Sequence, residues 1–431
     1  MTAPDLTLPK GTHTVALGLG DMNGILRGKR IPASHWDATC RSGNAMSVST
    51  FAIDMTCEVW DTPYVNFDTG YPDMHVFPTE APVAIPWEPG LAFCLGRGET
   101  MDHKPVPIDP RNALITQVDR ARALGFDVQV GCELEFYLLD PETGQPRDDS
   151  IGVYGLDRAA ELEHVLGPIR RQINECGIPI EQSNPEYAPG QAEVNIRYDT
   201  ALQSADNVVL FRSLVRQLAH HHGYRATFMA KPFYHTSGNG FHTHYSLWKG
   251  DKNAFSDDGR LSQTGRAFIA GQQRRMAQTS VVASPTPNGF LRRQYNSFCP
   301  MNASWGFDNR TVGLRVIEGR PSACRVEKRD AGADANPYYV LAADIAAGLD
   351  GIEAGMTPGD PTVGNGYDDT AAPKIPLTMA DALAAARQDS WLRDVMGGFG
   401  FDIYMQQAER ELAFVAAQVT PVELDRYLKN F

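Results

Sequence analysis

The sequence predicts an α+β fold, with a small β-rich domain in residues 1–108 and a larger domain of mixed strands and helices in residues 109–431. The first observation is the segment VALGLGDMNGILRGKRIP, which alternates around Asn23-Gly24, a dipeptide typical of tight hairpin turns. The second is that short alternating runs and longer runs with helical apolar spacing fill the rest of the chain. We place the boundary just before Asp109-Pro110, which has the pattern of a helix start.

In the larger domain, helices and strands are predicted from two different periods. Apolar residues recur with a period of 3.6 in residues 157–176, 201–222, 335–355, 379–396 and 402–418. Gly177 and Gly223 follow the first two and favour helix ends there. The strand candidates are GCELEFYLL, QAEVNIRY, GFHTHYSLW, RTVGLRV and RVEKRD.

Net charge, cysteine content and the lack of long apolar stretches exclude several classes of function. The chain has 431 residues and a formal net charge of −13, which argues against nucleic acid or an anionic membrane as the main partner. Seven cysteines without a CxxC pair, and an N-terminus without an apolar run, predict a cytoplasmic protein with reduced thiols. The sequence has no apolar stretch of about 18 residues, so we expect no transmembrane helix.

Four of the strand candidates place ionisable side chains on one face and apolar side chains on the other, because residues two apart in a strand share a face. The shared-face sets are Glu133 and Glu135; Glu193; His242, His244 and Ser246; and Arg325, Glu327 and Arg329. For one strand, a solvated face is the simpler interpretation. Four such strands together favour a functional cluster, since carboxylates brought close to one another must be neutralised.

Divalent metals would neutralise such a cluster. Oxygen ligands suit Mg²⁺, and the added histidines make Mn²⁺ plausible as well. Two metals held side by side suit phosphoryl transfer, and arginines can stabilise the charge of the transferring group. Five arginines lie in one stretch: Arg292, Arg310, Arg315, Arg325 and Arg329. No Walker A or kinase-type glycine loop occurs, and the short loop 237–240 is a candidate backbone contact for a carboxylate substrate.

Five blocks in this order resemble the glutamine synthetases: GCELEFYLL, NPEYAPGQAEV, KPFYHTSGNGFHTHYSL, WGFDNRTVGLRV and RVEKRDAGADANPY. The resemblance implies a β-grasp-like N-terminal domain and a C-terminal catalytic domain with an antiparallel sheet and flanking helices. It also implies ATP and L-glutamate as substrates, reaction through γ-glutamyl phosphate, and a homododecamer of two hexameric rings with active sites between subunits.

Site roles follow from the resemblance residue by residue. Glu135, Glu186 and Glu193 resemble the ligands of one metal, and Glu133, His242 and Glu327 those of the other. Gly238, Arg292 and Arg329 resemble the contacts to glutamate, and Arg310 and Arg315 the arginines that stabilise the transferring phosphoryl group. His244, Ser246 and Arg325 resemble nucleotide contacts, and Asp54 resembles the aspartate that a neighbouring subunit contributes to the ammonium pocket.

The flap after Arg292 departs from the ammonia-using members of the family. It reads RRQYNSFCPMN, with Phe298 where a glutamate would take a proton from ammonium. An aromatic ring serves an ammonium ion poorly and an organic amine well. The segment EYAPGQAE is similar to the γ-glutamylamide and γ-glutamylpolyamine synthetase branch. The sequence therefore favours a glutamate–amine ligase of amine catabolism; a glutamine synthetase using ammonia and a non-catalytic glutamate- or nucleotide-binding homologue are the alternatives.

Overall fold

The computed structural model describes residues 5–147 and 149–431, so the first four residues of the predicted N-terminal domain lie outside the description. A six-stranded sheet forms in the N-terminal part, in the order β2-β1-β6-β4-β3, with β5 paired to β6. The elements here are β1 (Thr14–Gly20), β2 (Leu26–Pro32), α1 (Trp36–Ser42), β3 (Asn44–Ser47), β4 (Asp73–Pro78), β5 (Val83–Ala84) and β6 (Leu91–Glu99).

The hairpin predicted around Asn23-Gly24 is present, but its turn is wider than the dipeptide suggests. Strands β1 and β2 pair antiparallel from Gly20 opposite Leu26 outward. The Asp21 carboxylate accepts the backbone N–H groups of Asn23 and Ile25 at 2.8 and 2.9 Å, and this side chain organises the loop. Gly24 has a φ of 70°, which glycine adopts without strain.

A nine-stranded sheet lies in the larger part of the chain, in the order β15-β16-β17-β11-β7-β9-β8, with β10 on β7 and β12 on β11. All its pairs are antiparallel except β15 with β16. Its strands are β7 (Asp127–Leu139), β8 (Ile180–Pro185), β9 (Gln191–Thr200), β10 (Arg225–Thr227), β11 (Phe241–Lys249), β12 (Lys252–Asn253), β15 (Trp305–Phe307), β16 (Leu314–Ile317) and β17 (Arg325–Lys328), and a separate hairpin pairs β13 (Ser256–Asp257) with β14 (Arg260–Leu261).

Helices flank this sheet, as expected for an α+β fold. They are α2 (Pro110–Ala123), α3 (Leu156–Glu175), α4 (Ala201–His221), α5 (Gln263–Ala283), α6 (Pro287–Phe290), α7 (Pro337–Glu353), α8 (Met379–Ala386), α9 (Trp391–Met396), α10 (Gly398–Ala416) and α11 (Pro421–Tyr427). Helix α2 begins where Asp109-Pro110 predicts, because the Asp109 carboxylate accepts the Arg111 N–H at 2.9 Å. In the described ranges, no helix is both long and apolar enough to cross a lipid bilayer.

The helix predicted over residues 379–396 is wrong as a single element. It divides into α8 and α9, and a turn separates them in which the Asp389 carboxylate accepts the N–H of Trp391 at 3.0 Å, two residues later. The same carboxylate also accepts from Arg275 at 2.7 Å and Gln278 at 2.8 Å on α5. The strand predicted from RTVGLRV is shorter than expected and covers only Leu314–Ile317.

Helices α4, α5 and α7 form the core against the apolar face of the nine-stranded sheet. Phe136 of β7 contacts Phe211 of α4 and Phe228, with ring centroids 6.5 and 5.3 Å apart. Helices α5 and α7 pack closely at Gly271, where a Cβ would lie 1.9 Å from the Ala347 carbonyl oxygen. This layer of buried side chains supports the sheet from behind and leaves its polar face free for a site.

Candidate active site

Strand register brings the predicted carboxylates and histidines into one row. Glu135 pairs with Glu193 across β7 and β9, Glu133 with His242 across β7 and β11, and His244 with Glu327 across β11 and β17. Residues directly opposite in neighbouring strands point to the same face of a sheet. The alternating partners Leu134, Phe136, Val194, Tyr245 and Val326 are buried on the other face.

Glu133 lies at the centre of this row. Its carboxylate oxygens are 3.0 Å from Nε2 of His244 and 3.5 Å from Nδ1 of His242. Nδ1 of His242 is also 3.8 Å from an oxygen of Glu327. Two sets of donor atoms lie within 4.8 Å of one another and could each hold a metal ion: Glu133, Glu193 and His242; and Glu133, His244 and Glu327. These sets differ from the predicted division between the two metals, since they share Glu133 and include His244.

Glu186 and Glu193 are two of the three carboxylates that the sequence assigns to one metal, and both lie near Glu133 and Glu135. Glu186 and Glu193 are both 8% exposed. Burial raises the pKa of Glu193 to about 9, helped by repulsion from Glu133, Glu135 and Glu186. Burial, and then the charge of Glu135, likewise raises the pKa of Glu186 to about 7. Crowded carboxylates that resist ionisation have the donor chemistry of a site for a divalent cation, which would relieve that repulsion.

Cations within the protein stabilise the remaining carboxylates. Burial alone would raise the pKa of Glu327, but the charges of Arg329 and the two histidines lower it to about 2. Burial would likewise raise the pKa of Glu133, and His244 and His242 hold it well below its usual value. Glu135 accepts the backbone N–H of Gly240 at 2.8 Å, which fixes its carboxylate at the end of the loop 237–240.

The predicted arginines surround the cluster from the β16–β17 side. Arg315 donates to Glu327 at 3.1 Å and to Asp308 at 2.6 Å, while Arg329 donates to the other oxygen of Glu327. Arg325 donates from Nε to Nδ1 of His244 at 3.3 Å, so two of the three residues predicted to contact nucleotide are in contact with each other. Arg315 lowers the pKa of Asp308 through its hydrogen bond and charge, and the charge of the exposed Arg310 adds a smaller effect.

Ser246 occupies the outer end of the polar row on β11. It is half-buried and its hydroxyl accepts the indole N–H of Trp248 at 2.9 Å.

The predicted glutamate contacts also come together. A Cβ on Gly238 would lie 2.6 Å from Cγ of Arg292 and 2.8 Å from the carbonyl oxygen of Ala230, so only glycine fits between them. Arg292 is 4% exposed and donates to the Asp330 carbonyl oxygen at 3.1 Å. The loop and the arginine therefore form one wall next to the carboxylate row.

Phe298 lies in the flap segment and faces an aromatic partner. Its ring stacks on that of Tyr187, with centroids 6.0 Å apart and an interplanar angle of 21°. Tyr187 directly follows Glu186, so the stack connects the flap to a predicted metal ligand. The rings are 43% and 50% exposed, respectively, which leaves them accessible to a small molecule.

Asp54 is not brought to the carboxylate row within one chain. Its carboxylate accepts the N–H groups of Thr56 and Glu58 at 2.8 and 3.0 Å, and its charged neighbour on α10 is Arg410. Trp60 on the same segment is 6% exposed beneath the guanidinium of Arg410, which lies 5.2 Å from the ring centroid.

Sequence reasoning missed two residues of this region. Gln191 donates to the Gly238 carbonyl oxygen at 3.0 Å and to the Asn239 side chain at 2.9 Å, and so supports the glycine loop. Its position two residues before Glu193, on the same strand face, was a signal for it. Tyr187 had no such signal, because its partner lies far away in the sequence.

Comparisons with known proteins place the chain in a family. The family described as glutamine synthetase, catalytic domain, matches residues 107–427. A glutamate–isopropylamine ligase of a Pseudomonas species is 33% identical over 96% of this chain and 95% of its own length. The γ-glutamylputrescine synthetase PuuA of Escherichia coli K12 is 32% identical over 97% and 92%, respectively. The solved structure of a GmaS/ADP complex superposes with a TM-score of 0.87 at 29% identity, covering 97% of both chains. The chain therefore belongs to the glutamine synthetase family.

Proposed function

We propose that this protein is an ATP-dependent ligase that joins the γ-carboxylate of L-glutamate to a small organic amine, giving a γ-glutamylamide, ADP and phosphate. The observation that favours an organic amine over ammonia as the acceptor is the stack of Phe298 on Tyr187. An ammonium ion needs anionic or hydrogen-bond-accepting groups around it, whereas the alkyl group of an amine can contact two aromatic rings. The names of the isopropylamine and putrescine relatives support the same class of acceptor.

Members of this family use ATP and a divalent metal, and the donor set of the carboxylate row fits such an ion. We propose two or more ions per site, Mg²⁺ or Mn²⁺. By the family resemblance, Glu135, Glu186 and Glu193 would hold one ion, and Glu133, His242 and Glu327 another. The donor atoms of Glu133, His244 and Glu327 lie within 4.8 Å of one another, so His244 is near enough to join the second ion. When bound, the ions would neutralise the phosphate oxygens of ATP.

Substrate positions follow from the remaining side chains. The substrate glutamate would be held by the backbone of Gly238 and, at its carboxylates, by Arg292 and Arg329. Arg310 and Arg315 would stabilise the negative charge on the transferring phosphoryl group. His244, Ser246 and Arg325 would contact the nucleotide, and the contact between Arg325 and His244 supports a common role.

The proposed reaction has two steps. An oxygen of the glutamate γ-carboxylate bonds to the terminal phosphorus of ATP while the bond to the ADP oxygen breaks. The nitrogen of the amine then bonds to the acyl carbon, and phosphate leaves with the electrons of the C–O bond. Asp54 of the partner subunit would accept the proton that the amine loses, since the Asp54 carboxylate is removed from the row in its own chain.

Three further proposals concern organisation. We propose a homododecamer of two hexameric rings with active sites between subunits, supported by the separation of Asp54 from the row. We propose a cytoplasmic location, supported by seven cysteines without a disulfide among them. We also propose residue 108 as the domain boundary, supported by the N-terminal sheet, which ends at Glu99, and by the start of α2 at Pro110.

An amine screen tests the function. Phosphate release from ATP and glutamate would be measured with ammonia, methylamine, isopropylamine, ethanolamine, aniline and putrescine, and the products identified by mass. We expect the highest kcat/KM with an alkylamine. If ammonia were a far better acceptor than every organic amine, the protein would be a glutamine synthetase. If no amine and no ammonia gave product, it would be a non-catalytic homologue.

A further inference from the structure

A cavity of about 540 Å³ lies apart from the carboxylate row, between helix α4, the β1–β2 turn and the segment that follows β10. Its walls combine apolar side chains, including Val209 and Phe228, with four ionisable ones: Arg212, Arg216, Asp334 and Glu411. None of the residues predicted for the catalytic site lines it. A mostly apolar cavity of this size with a few convergent polar groups has the form of a small-molecule site.

Arg212 lies at the base of this cavity and is only 5% exposed. Its Nη2 donates to the Ala335 carbonyl oxygen at 2.7 Å, while its Nε has no acceptor among the described residues. Burial lowers the pKa of Arg212, opposed by the charge of Asp334. Because an arginine side chain keeps its charge in proteins, a buried guanidinium with an unused N–H group is a strong site for an anion.

Arg216 lies one helical turn further along α4, at the mouth of the cavity. It is exposed, and its guanidinium carbon lies 5.7 Å from the centre of the Phe228 ring. Residues four apart on a helix share a face, so both guanidinium groups can reach one ligand. Paired arginines beside apolar walls suit a carboxylate on a short carbon chain.

The negative charge of Asp334 is shared between two arginines, Arg212 and Arg292. Asp334 and Arg292 lie close together at Gly332, where a Cβ would be 2.6 Å from Oδ1 of Asp334 and 3.5 Å from Nη1 of Arg292. The charges of both Arg292 and Arg212 act on the Asp334 carboxylate. One oxygen of Asp334 is buried and has no hydrogen-bond partner in the part of the chain that the structure describes. Asp334 thus connects the cavity to the arginine that we assign to glutamate.

We propose that this cavity binds a small organic carboxylate through Arg212 and Arg216, and that occupancy changes glutamate binding through Asp334 and Arg292. The binding site stands on the cavity and its two arginines. The coupling rests on the proposed function, since it assumes that Arg292 holds glutamate.

Isothermal titration calorimetry with propanoate, alanine and pyruvate tests the site, because these three-carbon carboxylates carry no group, an amino group and an oxo group in turn. We expect at least one to bind the wild-type protein at about 10 mM or below, and Arg216→Gln to weaken it about tenfold. Ser213→Tyr, which fills the mouth from another lining position, should weaken it as well. Arg274→Gln, an exposed arginine on α5 outside the cavity, is the matched control and should leave binding unchanged.

Arg329→Gln separates this site from the catalytic one, and it too should leave binding unchanged. Absence of binding by all three probes, equal binding in Arg216→Gln and the wild type, or loss of binding in Arg329→Gln would overturn the proposal. These readouts need no turnover, so failure of the proposed ligase activity would leave them intact. In the active enzyme, the bound carboxylate should change the KM for glutamate about twofold or more in the wild type and not in Arg216→Gln; an unchanged KM in the wild type would overturn the coupling.

Discussion

Phe298 stacks on Tyr187 at a centroid distance of 6.0 Å, and this contact joins the flap segment to the strand region that carries Glu186. Phe298 has a φ of 60°, so the flap backbone bends sharply to present the ring. At position 298 this chain therefore offers a flat apolar ring rather than a carboxylate. The alkyl portion of the acceptor should therefore contribute to binding.

Replacing the ring tests that contribution. We expect Phe298→Ala to raise the KM for the preferred alkylamine about tenfold, because an aromatic contact of this size is worth roughly 1–2 kcal/mol. The KM values for ATP and glutamate should change little. Steady-state phosphate release with each substrate varied in turn is the measurement. Phe414→Ala, an exposed phenylalanine on α10, is the control, and an equal effect in both variants would argue against an aromatic amine pocket.

We expect Glu193 to be a metal ligand whose buried carboxylate does not stabilise the metal-free protein. Burial and three nearby carboxylates raise the pKa of Glu193 to about 9, so the charged form is unfavourable without a cation. We expect Glu193→Gln to bind Mn²⁺ at least about tenfold more weakly, with a matching loss of activity. The metal-free variant should melt no lower than the wild type, since a neutral amide replaces a carboxyl whose charged form is unfavourable at that place.

Mn²⁺ titration and thermal melting with and without metal measure these two effects. Glu181→Gln, an exposed glutamate on β8, is the control. Unchanged Mn²⁺ affinity in Glu193→Gln would contradict its assignment as a ligand.

The polar face of the larger sheet was predictable because strand alternation depends only on a period of two. Glu133, His242 and Glu327 therefore share a face without any knowledge of register. The positions of these side chains along the sheet depend on the register of the strand pairs. That register places Glu133 between His242 and His244, so the two candidate metal sets share Glu133.

Other features depend on contacts that no local pattern encodes. Helix α5 is buried over most of its length because α7 and α8 cover it. Its buried side chains include the polar Gln272 and Gln278, so it lacks the one-sided apolar period of a surface helix. The break between α8 and α9 depends on Asp389, whose bonds to Arg275 and Gln278 join segments distant in sequence. The stack of Tyr187 on Phe298 is likewise a tertiary contact.

Glu80 makes the stability of the fold depend on pH. Burial, and then repulsion from Asp206, raises the pKa of Glu80 from 4.5 to about 7. The folded protein then keeps a proton that the unfolded chain has already released. The free energy of unfolding should therefore fall as pH rises from about 4.5 to about 7, and this contribution should be constant above that.

Glu80→Gln should remove this dependence and stabilise the protein at pH 8 by about 1–2 kcal/mol. Urea unfolding at pH 5.5 and pH 8 measures the change, and Glu142→Gln, an exposed glutamate, is the control. A stability difference that is the same at both pH values would exclude Glu80 as the titrating group.

Asp54 and Arg329 should act in one active site although they belong to different subunits. The Asp54 carboxylate binds its own loop and lies near Arg410, whereas Arg329 contacts Glu327 in the carboxylate row. We expect Asp54→Asn and Arg329→Gln to be nearly inactive as separate proteins. When the two chains are co-expressed in equal amounts, about a quarter of the interfaces should combine the intact residue of each, as expected for a heterologous ring contact. The mixed oligomers should therefore recover about a quarter of the wild-type phosphate release, whereas a mixture no more active than its parents would place both residues in a site formed by one chain.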